Sequence, residues 1–207
     1  MARLGVFGGS FDPPHLGHLA LAEAALRGLG LGRVLWVLTP APPHKQGWNI
    51  SPLAVRERMV TIMVEQNPQF DFSRVEMERP GPHFMVDTLM ELGRCQPGDA
   101  LILLLGGDSL RDLPSWGRPK LLIEQCTLGV MRRPGAEPRL AELEKVLPGI
   151  SQRTEFFDAP RMDISSSEIR RRVHARELYD HLVLPPVAAI IAREALYLAD
   201  AGGASPG

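Results

Sequence analysis

Short runs rich in branched and aromatic side chains alternate with helix-period runs along nearly the whole chain. That alternation restricts the fold to βαβ units and a parallel sheet covered on both faces. Candidate strands are Arg3 to Phe7, Arg33 to Leu38, Phe70 to Val75, Ala100 to Leu105, Thr127 to Met131 and Arg153 to Phe157. Candidate helices are His15 to Leu29, Pro52 to Gln66, Val86 to Arg94, Arg139 to Val146, Ser165 to His174 and Pro186 to Leu198. The expected class is α/β: a Rossmann-like, doubly wound, mainly parallel sheet with helices on both faces. At 207 residues the chain reads as one domain, residues 1–200, followed by a small polar tail, 201–207, expected to be disordered. A proline-rich segment, Thr39 to Pro52, follows the second strand, so in a parallel sheet it should lie over the strand C-terminal edge, where ligands bind.

Charge narrows the partners. With 24 acidic and 23 basic side chains the net charge is −1, without the basic excess of a nucleic-acid binder. No apolar stretch approaches the roughly 20 residues of a bilayer span, and the N-terminus enters the first strand without a signal-peptide pattern. A cytoplasmic protein with no nucleic-acid or membrane partner is expected. Cys95 and Cys126 lack metal-ligand or disulfide spacing and read as reduced structural thiols.

The stretch Gly8-Gly9-Ser10-Phe11-Asp12-Pro13-Pro14-His15-Leu16-Gly17-His18 lies between the first strand and the first helix. Its glycines relax the backbone, Pro14 suits a helix start, and first-turn N–H groups form an anion site. His15 and His18 share a helix face and can donate to phosphate oxygens, while Gly17 lets a ligand approach the backbone. The dinucleotide G-x-G-x-x-G and the P-loop G-x-x-x-x-G-K-[ST] are both absent. A metal site using His15, His18 and nearby Asp12 lacks a clear further ligand, so no metal residue is assigned. A tight turn with capping histidines is the plain alternative.

The stretch Asp163-Ile164-Ser165-Ser166-Ser167-Glu168-Ile169-Arg170 starts a later helix, with Ser165 and Glu168 spaced as a capping box. Ser166 and Ser167 add hydroxyls beside the exposed first-turn N–H groups, and Arg170 adds a charge-assisted fork. Two anion cradles in one α/β chain point to a ligand with several phosphates, most economically ATP.

These two stretches, Gly9 to His18 and Ile164 to Arg170, resemble the two hallmarks of the H-x-G-H nucleotidyltransferases. Within that superfamily the chain is most similar to the bacterial nicotinate-nucleotide adenylyltransferases. Collinear pieces are Pro42-Pro43-His44-Lys45, Arg56, Met59, Asp87-Thr88-Leu89, Gly106-Gly107-Asp108, Leu113-Pro114-Ser115-Trp116, Arg133-Pro134-Gly135 and Leu196-Tyr197. The resemblance implies attack by the 5′-phosphate of nicotinate mononucleotide on the α-phosphorus of ATP, giving deamido-NAD and pyrophosphate with Mg²⁺ on the phosphates. Nicotinamide mononucleotide or another phosphate acceptor remains an alternative, as does a nucleotide sensor that performs no transfer. Self-association is left open.

The resemblance further implies roles for His15, His18 and Arg170 at the reacting phosphates. Gly8, Gly9, Ser10, Phe11, Ile164, Ser166 and Ser167 would form the cradles, and Lys45 would close over the triphosphate. Trp116 would stack on the pyridine ring, Asp108 would accept from a ribose hydroxyl, and Arg133 would reach a phosphate. The chain departs from the pattern at His83-Phe84-Met85, where the branch commonly has Ser-Tyr-Thr, at Gly117, where an aromatic is common, and at Ile190, where a tyrosine is common.

Overall fold

A computed structural model describes residues 2–41, 50–132, 140–160 and 162–198. Six strands form one sheet: β1 (Arg3–Gly9), β2 (Arg33–Leu38), β3 (Phe70–Ser73), β4 (Ala100–Leu105), β5 (Thr127–Arg132) and β6 (Thr154–Asp158). Every neighbouring pair is parallel and the spatial order is β3-β2-β1-β4-β5-β6. Order runs outward in both directions from β1 and β4, which makes the gap above their C-terminal ends the topological switch point where such sheets bind ligands.

Side-chain alternation sorts the strands into two cores. Val34, Trp36, Leu38, Ile102 and Leu104 face one layer, made by α1 (Leu16–Gly28), α2 (Leu53–Val64), α7 (Ser166–His174) and α8 (Pro185–Arg193). Leu4, Val6, Leu35, Leu101, Leu103, Leu128 and Val130 face the other, with α3 (Met85–Cys95), α4 (Gly107–Asp112), α5 (Pro119–Gln125) and α6 (Leu140–Val146) on that side of the chain order. Cys126 is buried in this second core, where desolvation pushes its thiol up to about 12, while Cys95 is exposed; both are free thiols.

The sequence reading of the strands holds to within two residues at each end. It missed α4 and α5, two helices of six and seven residues, too short for a clear periodic signal. Helix α8 was expected to reach Leu198 but ends at Arg193. There Ala195 turns left-handed (φ 49°), and the Leu196 N–H closes back onto the Ile191 carbonyl at 3.0 Å, a Schellman-type stop without its usual glycine. Ile190, a departure from the family pattern, is a buried core residue. The tail 201–207 lies outside the described residues.

One buried side chain ties the loops at the sheet's C-terminal edge together. Arg56 of α2 is 2% exposed and donates to four carbonyls: Ser51 at 2.9 Å, Ser10 at 3.0 Å, Thr39 at 2.8 Å and Pro40 at 2.7 Å. Burial lowers its pKa, and the charge of Asp12 offsets part of that cost. Removing the guanidinium strands four acceptors and one carboxylate, so Arg56→Leu should destabilise the fold by about 3–5 kcal/mol. Urea unfolding of the two proteins measures it.

Candidate active site

Between β1 and α1 the chain makes the turn Ser10 to His15. Phe11 adopts a left-handed backbone (φ 45°), unusual for a bulky residue, and is held there by its 2% exposed ring. That ring packs against Trp36 (centroids 5.2 Å apart) and edge-on to Phe7 (5.5 Å) and His18 (5.1 Å). The turn is therefore anchored from below by an aromatic cluster in the first core.

His15 is the N-cap of α1, with extended backbone, and its N–H donates to Nδ1 of His18 at 3.2 Å. Because Nδ1 accepts, the neutral His18 ring carries its proton on Nε2, the tautomer that can donate to an anion. The two rings stack with centroids 3.7 Å apart. They are not equivalent, however. His18 lines the cleft described below, whereas His15 is 6% exposed behind it, and desolvation lowers its pKa to about 4, so it is neutral at pH 7. Stacked rings do not aim their nitrogens at one ion, and among the described residues no three His, Cys, Asp or Glu side chains converge to hold a metal.

Gly17 has a different use from the expected close approach of ligand. A Cβ there would stand 3.0 Å from His15 Nδ1 and 3.1 Å from His15 Cε1. The missing side chain makes room for the His15 imidazole, which in turn backs His18.

The second cradle docks onto the first. Ser165 caps α7 by accepting the Glu168 N–H at 3.1 Å, but the reciprocal half of the expected capping box is not made. Glu168 instead pairs with Arg171 at 2.8 Å and Arg172 at 2.7 Å, which holds its carboxyl down to about 2. Ser166 Oγ donates to the Pro13 carbonyl at 2.8 Å, and Arg170 donates to the Asp12 carbonyl at 2.8 Å and to Ser167 Oγ at 3.2 Å. The segments around residues 12 and 166 thus touch although more than 150 positions separate them. Ile164 sits near Gly17, 3.7 Å from where its Cβ would be.

A cleft of about 820 Å³ opens above the switch point. Gly8, Gly9, Ser10 and Phe11 form its floor with the ends of β4; His18 and Ser166 stand on one side, and Trp116 on the other. His83, Phe84 and Met85 also line it. A Cβ on Gly117 would overlap the Phe84 ring, so Phe84 occupies the space an aromatic at 117 would need. Met85 lies against Gly8 in the same way, its Cε filling the volume that a side chain at position 8 would take. His83 is buried beside Glu76 and Arg79, and its pKa is lowered, first by desolvation. A second hollow, of about 520 Å³, lies at the opposite, N-terminal edge of the sheet near Ala100 and Thr127, away from both cradles.

Not every expected residue reaches the cleft. Arg170 and Ser167 brace the turn rather than line the cavity, and His15 stands behind it. Asp108 falls in the first turn of α4, is exposed and pairs with Arg111 at 3.3 Å; Gly106, Ser109 and Asp112 line the cleft at that point instead. Lys45 and Arg133 lie outside the described residues. Sequence reasoning assigned no role to Arg56 or Tyr197, and mentioned Asp12 only beside a metal. In the structure Asp12 is buried, accepting from the Tyr197 hydroxyl at 2.7 Å and the Ser51 N–H at 3.2 Å. Their polar groups are isolated in sequence, and nothing short of the fold brings them together.

Residues 6–172 match the cytidylyltransferase-like family. A probable nicotinate-nucleotide adenylyltransferase of Thermomicrobium roseum is 42% identical over 197 residues, 95% of this chain and 92% of its own. One of Thermus thermophilus is 40% identical over 195 residues, 94% of this chain and 99% of its own. Among solved structures, the Plasmodium falciparum nicotinic acid mononucleotide adenylyltransferase complexed with NaAD superposes with a TM-score of 0.75 at 19% identity, covering 95% of this chain and 98% of that one.

Two outcomes follow from the His15 packing. Gly17→Ala should leave stability unchanged or slightly raised, since alanine favours a helix by about 1 kcal/mol, yet lower turnover by roughly 10- to 100-fold through displacement of the His15 and His18 rings; melting curves and steady-state rates separate the two effects. Because the folded state holds His15 neutral down to about pH 4 while the unfolded chain protonates near 6.5, acidification through that window favours unfolding. Buried His83 acts in the same direction. Urea unfolding against pH should show stability falling from pH 6.5 towards 4, with a shallower fall in His15→Asn.

Proposed function

The chain belongs to the cytidylyltransferase-like family and, within it, to the nicotinate-nucleotide adenylyltransferases, and from that premise we propose that it transfers AMP from ATP to nicotinate mononucleotide, yielding deamido-NAD and pyrophosphate. The observation that carries the reading is the shared cleft: His18 of the first hallmark and Ser166 of the second line one cavity at the sheet's switch point.

The acceptor's 5′-phosphate oxygen attacks the α-phosphorus, and the bond from that phosphorus to the bridging oxygen of pyrophosphate breaks. No protein nucleophile takes part. The enzyme's work is alignment of two polyanions and stabilisation of charge on the α-phosphoryl oxygens. In this reading His18 donates from Nε2 to those oxygens, and the first-turn N–H groups of α1 and α7 hold the remaining phosphates, with Ser166, whose hydroxyl proton goes to the Pro13 carbonyl, fixing the start of α7 beside them. Ser167, Lys45 and Arg133 are assigned to the outer phosphates. His15 and Arg170 act by fixing His18 and the turn. Trp116 and Phe84 form the aromatic wall for the pyridine ring, with Asp108 left as a ribose contact only if α4 shifts on binding.

No carboxylate cage is present among the described residues, so Mg²⁺ is proposed as part of a Mg·ATP substrate, held by phosphate oxygens and water and neutralising their charge. The reading also places the enzyme in the cytoplasm. Among the described residues no helix is long and apolar enough to cross a membrane.

Purified protein given Mg·ATP should release pyrophosphate faster with nicotinate mononucleotide than with nicotinamide mononucleotide or phosphopantetheine. His18→Ala, folded as judged by circular dichroism, should turn over roughly 100-fold more slowly, the usual loss of one transition-state donor. Activity with none of the three acceptors would refute the transfer, and an unchanged rate in His18→Ala would remove that residue from the mechanism.

A further inference from the structure

Resting on the adenylyl-transfer reading, we propose that Tyr197 is a positioning residue for the reaction: its hydroxyl holds the Asp12 carboxylate and thereby fixes the turn that presents His18.

The chain reaches this contact against local preference. After α8, Ala195 (φ 49°) and Tyr197 (φ 63°) are both left-handed without being glycine, an arrangement that L side chains disfavour. Strain of this kind persists only where surrounding contacts over-determine it, and it concentrates at functional sites. The contacts are identifiable. Arg58 of α2 pairs with Glu194 at 2.6 Å just before the bend, and the Tyr197 ring packs on the first core. Its hydroxyl then donates to Asp12 Oδ1 at 2.7 Å across 185 positions of sequence. Burial and the Asp12 charge raise the phenol's pKa, so it remains a proton donor throughout the working range.

Asp12 is 3% exposed and does not line the cleft. Its other carboxylate oxygen accepts the Ser51 N–H at 3.2 Å, and its own carbonyl accepts from Arg170 at 2.8 Å. An aspartate so engaged orients backbone rather than substrate. From Asp12 the chain runs through Pro13 and Pro14, whose rings fix φ, directly to the His15 N–H that sets the His18 tautomer. Losing the phenol hydroxyl leaves Oδ1 without its donor and loosens this short path at its start.

The test is Tyr197→Phe, which removes one oxygen and keeps the ring. The expected kcat loss is at least about threefold at a temperature where the variant is fully folded, with KM for ATP and for the acceptor each changed by less than about twofold. Asp12→Asn should lose kcat similarly, and the double variant should be no slower than the worse single one, because the two groups act as a unit. A smaller kcat loss, a loss carried by either KM alone, or additive losses would overturn the proposal. Long-range proton–nitrogen NMR of the histidine rings provides a readout independent of turnover. Wild type should show His18 with an unprotonated Nδ1, and Tyr197→Phe a mixture of tautomers; an unchanged His18 spectrum also overturns the proposal. A wild type inactive with every acceptor would refute the proposed function and still leave the NMR to judge Tyr197. Asp12→Asn carries the same measurements if the phenylalanine variant does not fold.

Discussion

The site depends on two hydrogen bonds that join distant parts of the chain: Ser166 Oγ to the Pro13 carbonyl and Arg170 to the Asp12 carbonyl, each 2.8 Å. Residues 12 and 13 are buried, and buried carbonyls without donors are costly. The turn after β1 therefore cannot hold its shape until α7 has packed beside α1. Arg56 repeats the device from another side, giving donors to Ser10, Thr39, Pro40 and Ser51. Sheet order brings the elements close; these donors convert proximity into fixed geometry.

That arrangement uses positive charge to hold backbone at the turn. Among the described residues lining the cavity there is no lysine or arginine. Of the arginines around it, Arg56 and Arg170 point their forks at main-chain carbonyls, while Arg118 lies over the Phe84 ring and pairs with Asp87. Among the described residues, the His18 imidazole, the Ser166 side chain and the starts of helices face the cleft. Such groups are fixed dipoles, and fixed dipoles need not reorganise as charge moves during phosphoryl transfer. A binding site of this design suits a ligand that arrives partly neutralised and a product that has to leave.

Most of the architecture was legible from residue patterning because the central strands β1, β2, β4 and β5 are largely buried and read as short apolar runs separated by helix-length segments. The two segments that meet at the cleft were legible too, since a glycine-rich strand-to-helix turn and a serine-rich helix start are local signals. What was not legible is what depends on tertiary contact. Arg170 has the spacing of an anion ligand but serves the Asp12 carbonyl. Glu168 has the spacing of a capping box but is drawn to Arg171 and Arg172, whose forks offer charge as well as hydrogen bonds. Gly17 looks like an opening for ligand and is the seat of the His15 ring. The end of α8 could not be placed because the helical pattern continues past Arg193, and the contacts that hold the left-handed stop, Arg58 with Glu194 and Tyr197 with Asp12, come from far away in sequence.

The cleft is built from two groups of residues that come from opposite helical layers. His18, Ser166 and their supports come from the turn after β1 and the start of α7. The aromatic wall comes from residues 83–85 and 116–117, which belong to the other helical layer and meet the first group across the cavity and where Met85 lies against Gly8. Phe84 fills the volume above Gly117, so a larger side chain at 117 and a ring at 84 exclude one another by simple overlap. A larger side chain at 117 therefore needs a smaller one at 84. With His83-Phe84-Met85 in place of the hydroxyls that the branch commonly carries there, this part of the wall keeps backbone N–H groups and the buried His83 beside Glu76 as its polar groups.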